Sequence, residues 1–267
     1  GHPHYRCADL ADIDSLRKVV AEVQPHAVLH LAAIAFVGHG TANDFYRVNL
    51  MGTRNLLEAV AQAAPQVACV LMASSANVYG NSAAGMLDES TPPAPANDYA
   101  VSKLAMEHMA RLWLPRLPLV VARPFNYTGV GQSTDFLLPK IVDHFKRRAP
   151  RMELGNLDVW RDFSDVRAVV QAYRLLLDAA SAGAAPQSPV GQTVNVCSGV
   201  AHSLREVLAL AQELTGHSLD VQVNPAFVRA NEVKTLCGDA SLLRSLIGSW
   251  QGPPLRDTLR WMLQGGV

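Results

Sequence analysis

Short, continuous apolar runs alternate along the chain with longer stretches whose apolar residues recur at helical spacing. Ala27-Val28-Leu29-His30-Leu31-Ala32 and Val67–Ala73 read as buried strands. Leu117–Ala122 reads as a third, broken by Arg123-Pro124, and Thr193-Val194-Asn195-Val196 as a fourth. Between them, Phe45–Ala64 places Leu50, Leu56, Leu57 and Val60 in helical phase. Tyr99–Leu114, Val166–Leu177 and Leu204–Leu214 predict further helices, and Ser241–Gln264 predicts short helices around a Pro253-Pro254 turn. Strand and helix in alternation predict an α/β fold, a doubly wound parallel sheet covered on both faces.

Composition narrows the class. The 267 residues are 49% hydrophobic and 17% charged, enough for a large core in one or two domains. With 23 basic and 23 acidic residues the formal charge is zero, which argues against a nucleic-acid surface or a polybasic membrane patch. Cys7, Cys69, Cys197 and Cys237 form no CxxC pair and read as reduced, mostly buried thiols. No apolar stretch reaches the ~20 residues of a membrane helix. The expectation is a cytoplasmic protein with no leader peptide, and Ala180–Pro189 reads as a small-residue linker.

The chemistry gathers at Tyr99 and Lys103, which stand at i and i+4 and so share one face of a helix, with Ser74-Ser75 closing a strand upstream. A free phenol titrates near 10, and a neighbouring ammonium favours phenolate. A serine hydroxyl can hold a carbonyl or alcohol oxygen while tyrosine exchanges its proton, a device suited to hydride transfer. Chance alone gives about 0.1 Tyr–Lys pairs at this spacing in such a chain. The alternative is a surface tyrosine and lysine on one amphipathic helix. His30 reads as a satisfied core histidine, His108 and His144 as helix-surface residues, and His202 as a loop residue. No His, Cys and carboxylate set has metal-ligand spacing, so no metal is expected.

Five segments, in order, resemble the extended short-chain dehydrogenase/reductase family. They are Asp9-Leu10, His30-Leu31-Ala32-Ala33, Val48-Asn49-Leu50-Met51-Gly52-Thr53, Ser74-Ser75-Ala76-Asn77-Val78-Tyr79-Gly80, and the Tyr99/Lys103 helix. The resemblance covers essentially the whole chain and implies a Rossmann-like sheet with a smaller mixed α/β C-terminal substrate-binding part. It implies that Asp9 and Leu10 meet the adenine side of a dinucleotide, and that Leu31, Ala32, Ala33, Asn49 and Pro124 line it. Ser75, Tyr99 and Lys103 are then catalytic, with Tyr99 and Lys103 also contacting cofactor. The cofactor is NADP or NAD, with NADPH slightly favoured. No glycine-rich dinucleotide loop occurs in the chain, and Gly1–Cys7 resembles the tail of a second or third βα unit. The first βα unit is therefore expected to be missing from this sequence.

Within that family the C-terminal half is most similar to enzymes acting on GDP-linked 6-deoxyhexoses. The similarity rests on Arg123-Pro124-Phe125-Asn126-Tyr127-Thr128-Gly129, on Leu154–Val166, on Asn195–Gly199 and on Arg229-Ala230-Asn231-Glu232-Val233. It implies that Asn126 and Arg161 meet the diphosphate, that Arg229 and Glu232 sit by ribose and phosphates, and that Lys140 lies by the guanine. Bidentate arginine suits a diphosphate. Ala76 and Asn77 stand where related dehydratases carry a carboxylic acid, and neither residue can exchange a proton as one. The implied reaction is reduction of the C4 ketone of a GDP-4-keto-6-deoxyhexose, yielding GDP-D-rhamnose from the manno ketone. A nucleotide-sugar 4-epimerase, a 4,6-dehydratase using Asp88 or Glu89, and a non-catalytic NAD(P)-binding sensor or scaffold stay open. Residues 1–123 and 163–199 are expected to form the dinucleotide domain, and 124–162 and 200–267 the nucleotide-sugar domain. The resemblance also implies a homodimer through a four-helix interface of Phe45–Ala64 and Tyr99–Leu114, with Ala100, Ala105 and Met106 as contact candidates.

Overall fold

The computed structural model describes residues 4–35, 41–80, 85–182, 187–228 and 234–265. In chain order the elements are α1 (Ile13–Val23), β1 (Ala27–His30), α2 (Ala42–Phe45), a π-helical segment (Tyr46–Gly52), α3 (Thr53–Ala63), β2 (Cys69–Ala73), a 3-10 turn (Ala76–Tyr79), β3 (Met86–Leu87) and α4 (Asp98–Arg111). They continue with β4 (Leu119–Pro124), β5 (Asn126–Thr128), α5 (Leu137–Lys146), β6 (Arg151–Leu154), β7 (Trp160–Asp165), α6 (Val166–Ser181), β8 (Thr193–Val196) and β9 (Ala201–Ser203). The last are α7 (Leu204–Thr215), β10 (Asp220–Val223), a 3-10 turn (Pro225–Phe227), β11 (Thr235–Gly238), α8 (Ser241–Ile247) and α9 (Leu255–Leu263).

The main sheet runs β1-β2-β4-β8, every pair parallel. Side chains alternate between its faces. Val70, Met72, Leu119 and Val121 meet Leu16 and Val20 of α1, Leu57 and Val60 of α3, and Ala110 of α4. Cys69, Leu71, Val120 and Ala122 meet Val169, Ala172 and Leu176 of α6 and Leu243 of α8. This is the doubly wound α/β arrangement that the alternation of runs predicts. β4 continues through Arg123 and Pro124, where the sequence suggested a break. Proline is tolerated there because it is the last residue of the strand. Arg123 is tolerated because a buried carboxylate meets it.

A second core gathers Leu138, Ile141, Phe145, Val207, Leu255 and Leu259 from α5, α7 and α9 over β6 and β7. β3-β11-β7-β5 form a parallel sheet with β9 antiparallel to β7, and β10 pairs with β6. His202 lies in β9 rather than in a loop. α8, which the expected division places with the smaller domain, packs instead on the main sheet.

Helix starts follow local chemistry. Asp12 caps α1 through Asp14 and Ser15, Asn97 caps α4 through Ala100, and Ser203 with Glu206 forms a capping box on α7. Three cysteines are buried, and Cys7 is exposed; all four are free thiols. Among the described residues no helix is long and apolar enough to cross a membrane.

Candidate active site

Parallel strands bring all their C-terminal ends to one edge, the place where open α/β sheets bind ligands. Here that edge carries His30, Ala73 followed by Ser74-Ser75, Pro124 and Val196. Across it lies α4, with Tyr99, Lys103 and Glu107 one turn apart and all buried. Three consecutive residues at the end of β2 each engage one turn of that helix. The Ala73 carbonyl accepts from Lys103 Nζ at 2.8 Å, the Ser74 hydroxyl donates to Glu107 Oε1 at 2.5 Å, and the Ser75 hydroxyl lies on the side of Tyr99, where it works to lower the phenol. Ser75 also caps the 3-10 turn, accepting from the Asn77 amide at 3.2 Å.

Burial sets the electrostatics. It pushes the Tyr99 phenol up from its ordinary value; the hydrogen bond to Ser75 works against that rise, and Tyr127 adds to it. The expected lowering by Lys103 is not found, because burial dominates and the Lys103 ammonium is turned to the Ala73 carbonyl. Lys103 itself, only 4% exposed, is lowered to about 8 by burial, with Glu107 opposing. His30 is pushed down to about 4 by burial and then by the charge of Lys103.

Glu107 anchors a buried polar chain that the sequence did not suggest. Its carboxylate receives Arg123 Nε at 2.9 Å and Nη2 at 2.6 Å. Arg123 Nη1 reaches the Tyr79 hydroxyl at 3.0 Å, which donates to Asn195 Oδ1 at 2.7 Å. Asn195 Nδ2 ends the chain on the Leu87 carbonyl. The usable signal was Arg123 itself: a cation inside an apolar strand needs a buried counter-charge.

The remaining candidates are placed as follows. Asp9 is exposed and accepts from the Ala11 amide, and Leu10 sits against Gly52, where a Cβ would come within 2.9 Å of it. Leu31 and Ala32 are exposed beyond β1 and Ala33 is half-buried. Buried Asn49 clamps Ile34, accepting from its amide at 2.9 Å and donating to its carbonyl at 3.1 Å. Pro124 is buried at the end of β4, and Asn126 Nδ2 reaches the Asp162 carbonyl at 3.5 Å. Arg161 lies half-buried on β7, donating to the Trp160 carbonyl. Lys140, on α5, stands 5.3 Å over the Phe227 ring. Arg229 and Glu232 lie outside the described residues. Asp88 is spent on the amides of Ser90 and Thr91, and Glu89 on the amide of Asn195. Among the described residues no group of three or more His, Cys, Asp or Glu stands where it could hold a metal ion.

A nicotinamide ribose fits this edge. Lys103 Nζ has three donors and gives one to Ala73, so a buried ammonium retains two for a diol.

Comparison with known proteins agrees. The profile of the GDP-mannose 4,6 dehydratase family matches residues 2–253. A GDP-6-deoxy-D-talose 4-dehydrogenase of Aggregatibacter actinomycetemcomitans is 34% identical over 90% of this chain and 79% of its own. A GDP-6-deoxy-D-mannose reductase of Pseudomonas aeruginosa is 35% identical over 96% of this chain and 84% of its own. Among solved structures, a Burkholderia cenocepacia J2315 protein provisionally described as an epimerase superposes with TM-score 0.90 at 54% identity, covering 97% of this chain and 81% of that one. RMD from Pseudomonas aeruginosa, complexed with NADPH, superposes with TM-score 0.87 at 32% identity over 98% and 88%. The strand-end serine facing a Tyr–Lys helix and the match over nearly the whole length lead to one conclusion: this chain belongs to the GDP-mannose 4,6 dehydratase family of extended short-chain dehydrogenase/reductases.

Proposed function

We propose that the protein is an NAD(P)-dependent oxidoreductase acting at C4 of GDP-linked 6-deoxyhexoses, and that it reduces GDP-4-keto-6-deoxy-D-mannose to GDP-D-rhamnose. The observation that carries this reading is the strand end Ser74-Ser75 laid along the Tyr99–Lys103–Glu107 face of α4, with Ala76 and Asn77 following Ser75. That set can polarise and protonate a ketone oxygen, and neither Ala76 nor Asn77 can act as the acid for removing water. The relatives named for a GDP-6-deoxytalose dehydrogenase and a GDP-6-deoxymannose reductase support the substrate class.

When bound, the reduced nicotinamide supplies a hydride. The residues of the chain do the rest. Ser75 Oγ holds the C4 oxygen and stabilises the charge that develops on it. Tyr99, kept protonated by burial, is an acid in the resting site and gives its proton to that oxygen. Lys103 holds the ribose diol with its two remaining donors. Asn126 and Arg161 bind the diphosphate, with Arg229 and Glu232, and Lys140 binds the base. The division into dinucleotide and nucleotide-sugar domains, with α8 moved to the dinucleotide side, and pairing into a homodimer through Phe45–Ala64 and Tyr99–Leu114, complete the proposal. Ala100 and Met106 are buried against their own chain, so the exposed large apolar residues of these segments are Met51, Val101, Leu112 and Leu114.

A second reading has its own support: the 54% identical structure is described as an epimerase. Mixing the protein with NADPH, or NADH in parallel, and GDP-4-keto-6-deoxymannose separates the two. Loss of reduced-cofactor absorbance with GDP-rhamnose as product supports reduction, and GDP-6-deoxytalose as product reverses only the C4 stereochemistry. No oxidation, together with NAD that stays bound through purification, sinks the reductase in favour of epimerisation.

A further inference from the structure

Glu107 lies outside the serine, tyrosine and lysine set, yet it joins all the pieces that hold that set. It is 2% exposed and one helical turn beyond Lys103. One oxygen takes the Ser74 hydroxyl and Arg123 Nε, and the other takes Arg123 Nη2. Ser74 is the residue between the carbonyl that binds Lys103 and the hydroxyl that meets Tyr99. From these contacts we propose that Glu107 is a positioning residue: it fixes the strand end that presents Ser75 and sets a buried carboxylate one helical turn from the Lys103 ammonium. The inference rests on the oxidoreductase reading for its catalytic meaning, but its physical content does not.

The argument is geometric first. A strand end has no ladder beyond its last residue, so the path of Ser74-Ser75 depends on what grips the side chains. Ser75 is hydrogen-bonded within its own turn, to the Asn77 amide, whereas Ser74 is bound to a carboxylate locked by a two-point arginine contact. Arg123 is locked in turn by Tyr79, whose ring lies 4.9 Å beneath it. Charge is the second part. Burial disfavours the Lys103 ammonium and Glu107 favours it. Among the described residues, the other titratable groups packed around Lys103 do not supply a negative charge. His30, from β1, is held neutral, and Tyr99, on α4, is held protonated. Arg123 comes from β4 as a cation bound to Glu107, and Tyr79 from the 3-10 turn is pushed up by burial. On the side of α2 and the π segment, Tyr46 is engaged with Asp98 at the first turn of α4.

The test follows the lysine directly. The chain has five lysines, so selective 13C labelling at lysine Cε gives few signals, and Lys103→Arg assigns the one that matters. In the unaltered protein that signal should titrate near about 8. In Glu107→Gln the midpoint should fall by roughly one pH unit. Because that variant strands Arg123 and can fail to fold, Glu107→Gln with Arg123→Gln removes both charges and should show a smaller fall, since loss of the arginine cation works the other way. Ser74→Ala keeps the charge, so its midpoint should stay, while kcat for ketone reduction drops about tenfold with an unchanged KM for the reduced cofactor. A Lys103 midpoint that stays or rises in both variants overturns the charge role, and full turnover in Ser74→Ala overturns the positioning role. If the unaltered protein turns over no nucleotide sugar, the functional reading fails while the titration still decides the charge role.

Discussion

His30 gives its Nε2 proton to the Thr53 hydroxyl across 2.9 Å, and the direction of that bond is fixed by a neighbour. Thr53 Oγ1 donates its own proton to the Asn49 carbonyl at 2.7 Å, so it can only accept from the ring. His30 therefore carries a proton at Nε2, and burial beside Lys103 keeps the ring from taking a second.

Acid stability should report that arrangement. The folded value of about 4 lies below the ordinary 6.5, so as pH falls the unfolded chain takes the proton first. His30 thus contributes stability that is complete above about 6.5 and is lost progressively down to about 4, on the order of 3 kcal/mol in all. Urea unfolding of His30→Asn should show a shallower loss of stability between pH 6.5 and 4 than the unaltered protein. Parallel acid limbs would mean the imidazole charges in the folded state.

Tyr99→Phe removes one hydroxyl from a packed ring. Ketone reduction should fall by about 10²- to 10⁴-fold while thermal unfolding and cofactor binding, followed by fluorescence quenching, stay close to the unaltered values. Turnover within a few-fold of normal would falsify the acid role of Tyr99.

Gly80 ends the 3-10 turn that Ser75 opens, at φ 55°, ψ −130°. A Cβ there would sit 1.7 Å from the Ala94 carbonyl oxygen. Gly80→Ala should destabilise by about 3 kcal/mol or more, since strained backbone and a backbone clash add. A chemical denaturation midpoint unchanged by this substitution would contradict the described turn.

Met51 and Val101 are 48% and 37% exposed on the π segment and on α4. Met51→Asp with Val101→Asp should convert the proposed homodimer into a monomer in analytical ultracentrifugation at micromolar concentration. A dimer that survives both charges uses another face.

Much of this was legible in the sequence because parallel strands are apolar on both faces and stand out as runs. The elements missed were those whose signal is tertiary. β7 and β11 carry Arg161, Asp162 and Cys237, and they are strands because their neighbours pair with them. Asp162 shows why: its buried carboxylate gathers the amides of Ser198, Gly199 and Gly238, an order that no local pattern encodes. α1 was missed as well: Asp12 caps it, but only Leu16 and Val20 of its residues are buried, too few to stand out as an apolar run. At the site, Tyr99 and Lys103 were visible from spacing alone. Their environment was not, and the phenol shows the difference: proximity in sequence suggested a lowered value, and burial reverses it.

The hydrogen bond between Tyr79 and Asn195 joins residues 116 positions apart. At a synthesis rate of roughly 5–20 residues per second, Asn195 leaves the ribosome on the order of ten seconds after Tyr79. Ser75, Tyr99 and Lys103 are all made well before it. A nascent chain thus carries every reacting side chain of the proposed site for seconds before the last strand of the main sheet arrives to hold their support in place.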